Sequence, residues 1–240
     1  MTAWLAWLGT TLGGEHVLAL RMPFLLIGAL LPWWVARIGR RWFGVVHGWQ
    51  AGTLAVLLPL LGTLGILALP DVPLALATVL CLHAVARLLH QVTPLGALEL
   101  AFGLALGALS HYRFAGTVLV AVAVIAWLPQ GRRLLRDPRV LLAGLAGLLA
   151  WLPLLLWNLE NGEAGLRFQL LDRHPWSLHA GGLAFVPVQA LLVTPLLALA
   201  LLQAAWTTGW KQRPSRPQWR FLGRFGALVL AGLVPRGCFA

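Results

Sequence analysis

The chain has 240 residues, of which 60% are hydrophobic and only 10% charged, and its formal net charge is +11. A soluble domain carries about 25% charged residues. The composition therefore excludes a soluble globular protein and specifies an all-α, polytopic membrane protein, long enough for roughly six to eight spans of about 20 residues. The basic surplus does not point to nucleic acid, because the arginines stand in short clusters between apolar runs rather than along one soluble stripe.

In chain order, residues 1–14 read as an interfacial stretch, with Trp4 and Trp7 three apart. There is no basic region ahead of them of the sort a cleaved signal carries. A first span is expected over 17–38, ending at Arg37, Arg40 and Arg41, and a second over 45–68, ending near Pro70. The third covers 72–89 and ends near Arg87 and His90. Spans over 94–110 and 114–129 are separated by Ser110-His111-Tyr112-Arg113. A sixth span covers 139–157, and a polar loop follows over 158–181. A seventh covers 183–206, and a basic linker over 207–224 leads to a last apolar stretch at 225–235. Several prolines fall inside these runs, at Pro32, Pro59, Pro153, Pro187 and Pro195. Spanning helices tolerate proline where neighbouring helices satisfy the freed backbone groups. Gly103 and Gly107 form a small-xxx-small pair that suits close helix packing.

Charge gives the bundle a direction. With the Arg37–Arg41 cluster placed in the cytoplasm, the inner side holds Arg37, Arg40, Arg41, Arg87, Arg132, Arg133, Arg136, Arg139, Lys211, Arg213, Arg216, Arg220 and Arg224. The outer side holds Arg21, Arg113, Arg167 and Arg173, which is thirteen against four, with Arg236 near the end. Such an asymmetry is the usual topological determinant. Glu15, Asp71, Glu160, Glu163 and Asp172 fall on the outer side, so the polar chemistry collects there.

Four places could carry that chemistry. Asp71, in Pro70-Asp71-Val72-Pro73, either caps a helix ahead of a first-turn proline or serves as a general base or metal ligand. His111-Tyr112-Arg113 is either polar punctuation between spans or an anion site, since a guanidinium fork matches phosphate oxygens. The loop from Trp157 through Arg167, Arg173 and His174 to Trp176 is either solvated or functional. Glu99 lies within a span, where an ionisable side chain is a candidate functional group. It also has Arg87 within plausible pairing reach near the inner end. Cys81 and Cys238 form no disulfide framework and show no metal-ligand spacing. P-loop, dinucleotide and nucleophile-elbow motifs are absent.

Four stretches in order resemble the family 39 glycosyltransferases, the dolichyl-phosphate-mannose protein mannosyltransferase-like superfamily, whose bacterial members include the aminoarabinose transferase of lipid A. They are Trp4 to Gly9 through Arg21-Met22-Pro23 to Phe43-Gly44, then Pro70 to Leu74, then Gly103 to Gly107 leading to Ser110-His111-Tyr112, and finally Leu152 to Asn158 through Arg167-Phe168-Gln169. The resemblance covers about residues 1–175.

The resemblance implies a GT-C-like bundle of about seven to eight spans. It implies transfer of a sugar, with inversion, from a polyprenyl-phosphate donor to a cell-envelope acceptor (lipid A, another glycan or protein) outside a bacterial inner membrane. On that pattern Asp71 orients the acceptor or binds a divalent metal. Arg113 replaces a lysine-type phosphate contact, because His111 stands where relatives carry lysine. Arg167 meets the lipid phosphate, with Arg173 and His174 beside it. Relatives begin with a further span and an acidic first outer loop that holds their principal catalytic aspartate, and this sequence starts just after that point. It is accordingly expected to be a truncated form that needs the missing loop for transfer. The alternatives are a noncatalytic relative that binds polyprenyl phosphate, and a small-solute transporter or flippase subunit, which Glu99 and the prolines within spans would suit.

Overall fold

A computed structural model describes residues 1–58, 63–168, 188, 195–211 and 217–238, with side chains omitted at 166 and from 232 onward. The described residues are all helical or connecting; none forms a strand. The helices are α1 (Thr2–Gly13), α2 (Val17–Phe43), α3 (Val45–Leu57), α4 (Asp71–His90), α5 (Pro94–Ala108), α6 (Phe114–Trp127), α7 (Pro129–Leu134), α8 (Pro138–Glu160), α9 (Ala164–Arg167), α10 (Pro195–Trp206) and α11 (Pro217–Cys238). A π-helical turn, Thr207–Lys211, follows α10.

Local chemistry sets most of the helix ends. His16 caps α2, its Nδ1 accepting from the Ala19 amide at 3.1 Å. Thr93 caps α5 by accepting from the Gly96 amide at 3.2 Å, with Pro94 in the first turn. Asp137 accepts from the Arg139 amide at 2.9 Å as α8 begins at Pro138. Gly44 turns the chain between α2 and α3 at φ 100°, a conformation that glycine adopts at no steric cost. Leu128 and Leu58 are both extended because each precedes a proline, which disfavours the helical conformation there.

That last effect corrects the second expected span. Its helix stops at Leu57 after 13 residues, about 20 Å, and does not run on as one helix toward Pro70. Among the described residues three helices are long and apolar enough to cross a membrane: α2 with 27 residues, α4 with 20 and α8 with 23. The α5 and α6 helices are apolar but shorter. Pro23 and Pro32 lie inside α2 and Pro153 inside α8, whereas Pro195 opens α10. Pro59 and Pro187 lie outside the described residues. Along α8 the side chains of Leu141, Leu145, Leu148, Leu152 and Leu156 are exposed, as a lipid-facing helix requires. The protein is an all-α helical membrane protein.

The chain packs as two units, Met1–Phe114 with Asp137–Ala150, and Ala115–Arg136 with Trp151–Ala240. In the first, α2 and α3 form an antiparallel pair at very close range. A Cβ on Gly39 would lie 2.8 Å from the Gly48 Cα, and one on Gly52 would lie 2.8 Å from the Ala36 Cβ. The α4 helix is the most buried of the three long helices, with Val72, Ala77, Ala84 and Ala86 shut away from solvent. It runs in the same direction as α2, whose Trp34 and Trp42 meet His83 and His90 at centroid separations of 5.8 and 5.9 Å. The α5 helix returns against it, and Gly103 admits the contact: a Cβ there would sit 2.8 Å from Cys81 Sγ. Gly107 lies against the Phe114 ring, so both glycines of the small-xxx-small pair serve packing.

In the second unit, residues 207–211 form the π-helical turn and 217–224 are part of α11, so the described parts of the basic linker expected over 207–224 are helical. Arg224, the last residue of that linker, is buried. Its Nε donates to the Gly209 carbonyl at 3.1 Å, and its guanidinium lies over Trp127 at 4.4 Å and Trp210 at 5.8 Å. The weak hydration of arginine and the negative ring faces explain how the charge is accommodated.

Candidate functional site

The site begins with the start of α4. Helix α4 opens at Asp71, with Val72 and Pro73 fully buried immediately behind it. The chain after α5 turns through Ser110, whose Oγ donates to the Leu106 carbonyl at 2.6 Å. It reaches Arg113 one residue before α6. The two helices are antiparallel, so the first residue of α4 and the turn beyond α5 occupy one end of the first unit. There Arg113 Nη1 approaches Asp71 Oδ1 at 3.7 Å, and the two side chains are 43% and 41% exposed.

The N-cap position of α4 is Pro70, one residue before Asp71. The alternative reading of this residue as an N-cap is thereby corrected: it sits in the first turn, where a carboxylate suits the positive end of the helix dipole, and its side chain turns to a cation. His111 Nδ1 accepts from the Arg113 amide at 3.1 Å, which holds the turn. The Tyr112 ring lies edge-on to His111 at 6.4 Å. The amino group of Met1 donates to the Leu109 carbonyl at 3.0 Å, which brings α1 to the same turn.

Of the six residues singled out by sequence, Asp71, His111 and Arg113 thus come together. Arg167 ends the short helix α9 in the second unit, and its side chain is exposed. Arg173 and His174 lie outside the described residues. An exposed carboxylate beside a guanidinium can accept a proton or a hydrogen bond while the cationic partner receives an anion. It is a poor start for a metal site. The charged neighbour of Asp71 is a cation, and among the described residues no three His, Cys, Asp or Glu side chains gather as ligands would.

The opposite end of the unit holds a cluster that sequence reading found only in part. Glu99 Oε2 accepts from Arg87 Nη1 at 2.9 Å, the pairing that the span positions allowed. Glu99 Oε1 also meets His83 Nδ1, and His83 is almost wholly buried. His83 was not anticipated. The available signal was its spacing four residues before Arg87, which puts both side chains on one face of α4.

A family model for dolichyl-phosphate-mannose-protein mannosyltransferase matches residues 1–157. The chain belongs to this family. The matched region contains Asp71, His111 and Arg113 and ends ten residues before Arg167. No curated protein and no solved structure matches the chain. Membership makes this a glycosyltransferase-family membrane protein, in agreement with the resemblance carried by its first three sequence stretches and the start of the fourth.

Proposed function

We propose that this mannosyltransferase-family protein transfers a sugar from a polyprenyl-phosphate-linked donor to a hydroxyl of a cell-envelope acceptor, on the extracytoplasmic face of a bacterial inner membrane that it crosses several times. The observation that carries the reading is the Asp71–Arg113 pair, half-exposed at the end of the first unit opposite the Arg37–Arg41 cluster. In the proposed step the acceptor oxygen forms a bond to the anomeric carbon as the bond from that carbon to the donor phosphate breaks. The electron pair leaves with the polyprenyl phosphate, and the acceptor proton passes to a carboxylate. Asp71 accepts that proton or holds the acceptor hydroxyl in line. Arg113 stabilises the charge that grows on the departing phosphate. His111 orients the Arg113 backbone through the bond at 3.1 Å.

The experiment is reconstitution of the protein, with whatever sequence precedes Met1 in its gene, in vesicles containing a radiolabelled polyprenyl-phosphate sugar. Release of polyprenyl phosphate and label in the acceptor are followed together. Asp71→Asn is expected to lower transfer by about 100-fold or more while the donor still binds. Full transfer by Asp71→Asn would remove Asp71 from the reaction. Donor binding without any transfer by the unaltered protein would overturn the catalytic reading and leave a binding protein.

A further inference from the structure

The first unit carries a second polar place that the transfer reaction does not use. A cavity of about 370 Å³ opens between α2, α4 and α5, near the ends of α2 and α4 that carry the arginines. It lies about 24 Å along α4 from Asp71, counting the rise from residue 71 to residue 87. Arg37, Arg41 and Arg87 contribute guanidinium groups to its wall, and Glu99 contributes one carboxylate. The three arginines and one glutamate leave the cavity a surplus of positive charge. His83 also lines the cavity and is 3% exposed, and its Nε2 is buried with no partner among the described residues. An orphaned buried ring nitrogen is costly unless something supplies a partner.

The remaining wall tells which anion fits. Leu95, Leu98 and Phe102 line the same cavity, with spacings that place them along one face of α5. They are 64%, 66% and 62% exposed. This apolar track runs from the basic mouth toward the middle of the helix, in the direction of the hydrocarbon core. A soluble anion has no use for it. We propose that the cavity binds the phosphate headgroup of an anionic phospholipid, with an acyl chain lying along Leu95, Leu98 and Phe102. Basic pockets between helices recognise headgroups in this way, through charge-assisted bonds made where water is partly excluded. Glu99 holds Arg87 in place by the contact at 2.9 Å, while Arg37, over the Trp33 and Trp34 rings, and Arg41, over Trp42, are exposed and carry no carboxylate partner among the described residues.

The test uses the full chain in phosphatidylcholine vesicles into which phosphatidylglycerol is titrated. Its readouts are the unfolding midpoint and the lipid retained in native mass spectrometry. The unaltered protein is expected to be stabilised and to retain phosphatidylglycerol in preference to phosphatidylcholine. The double variant Arg37→Gln/Arg41→Gln should weaken retention by about tenfold or more. A control, Arg40→Gln/Arg132→Gln, removes the same charge outside the cavity and should change retention by less than about threefold. Equal losses from the two pairs would mean diffuse attraction to a basic surface and would overturn the site. Inorganic phosphate that reproduced the stabilisation in pure phosphatidylcholine would overturn the lipid and assign a soluble anion instead. Both altered arginines are exposed, so folding should survive. Arg41→Gln alone should show the same order at smaller amplitude, and unchanged retention in a folded Arg41→Gln protein would also count against the site.

Discussion

Asp71 and Arg113 approach to 3.7 Å with about two-fifths of each side chain in solvent. An ion pair that exposed contributes about 0–1 kcal/mol, too little for stability to be its principal consequence. Arg113→Ala is therefore expected to leave the unfolding midpoint almost unchanged while transfer falls by about 100-fold. Arg113→Lys should recover part of that loss, since a lysine restores the charge but not the two-pronged geometry. Parallel rate and thermal-unfolding measurements on the two variants check this; a large loss of stability with normal transfer would contradict it. Glu99 is the opposite case. Its side chain is 13% exposed and shares its two oxygens between Arg87 and His83. Glu99→Gln should destabilise the first unit by about 3 kcal/mol, because it leaves a largely buried guanidinium without its counter-charge. Chemical unfolding of the purified variant in detergent measures that cost.

Among the elements, the α2–α3 pair is held at a distance that only glycine permits. A Cβ on Gly48 would stand 2.7 Å from the Ala36 carbonyl oxygen, which belongs to helix backbone and cannot turn aside. Gly48→Ala should thus cost about 1–3 kcal/mol and lower the unfolding midpoint by several degrees, whereas Gly116→Ala, with open space around its Cβ, should not. Equal midpoints for the two would refute the close approach. These elements also show what a linear reading can recover. Helices α2, α4 and α8 were legible as the long apolar runs expected over 17–38, 72–89 and 139–157, whereas the His16 cap of α2 came only with the structure. The break at Leu58 was legible in principle from Pro59 but was outweighed by the apolar run continuing on both sides. The helical state of residues 217–224 was concealed because charge near the end of an apolar run signals solvent unless a specific partner buries it, as the two tryptophans bury Arg224.

At the scale of the molecule, the distribution of arginine makes a directional prediction. In a protein whose Cys81 and Cys238 have been replaced by alanine, a cysteine at Glu15→Cys should react with an impermeant maleimide added outside intact cells. One at Arg40→Cys should react only after the membrane is opened. The reverse pattern would place the Asp71 end in the cytoplasm and remove the proposed extracytoplasmic chemistry. Composition alone determined that the chain is a helical membrane protein. The reason is that lipid acts on every residue separately, and a backbone without water must satisfy its own hydrogen bonds within each helix. Caps, prolines and the positions of Asp71, His111 and Arg113 are likewise local and readable. What only the tertiary structure decided is which of these meet. Asp71 and Arg113 are 42 positions apart in sequence, and His83, Arg87 and Glu99 lie on two helices. Their contacts depend on how α4 and α5 turn their faces toward each other, which is set by Gly103 against Cys81 and by the buried side of α4 rather than by any spacing along the chain.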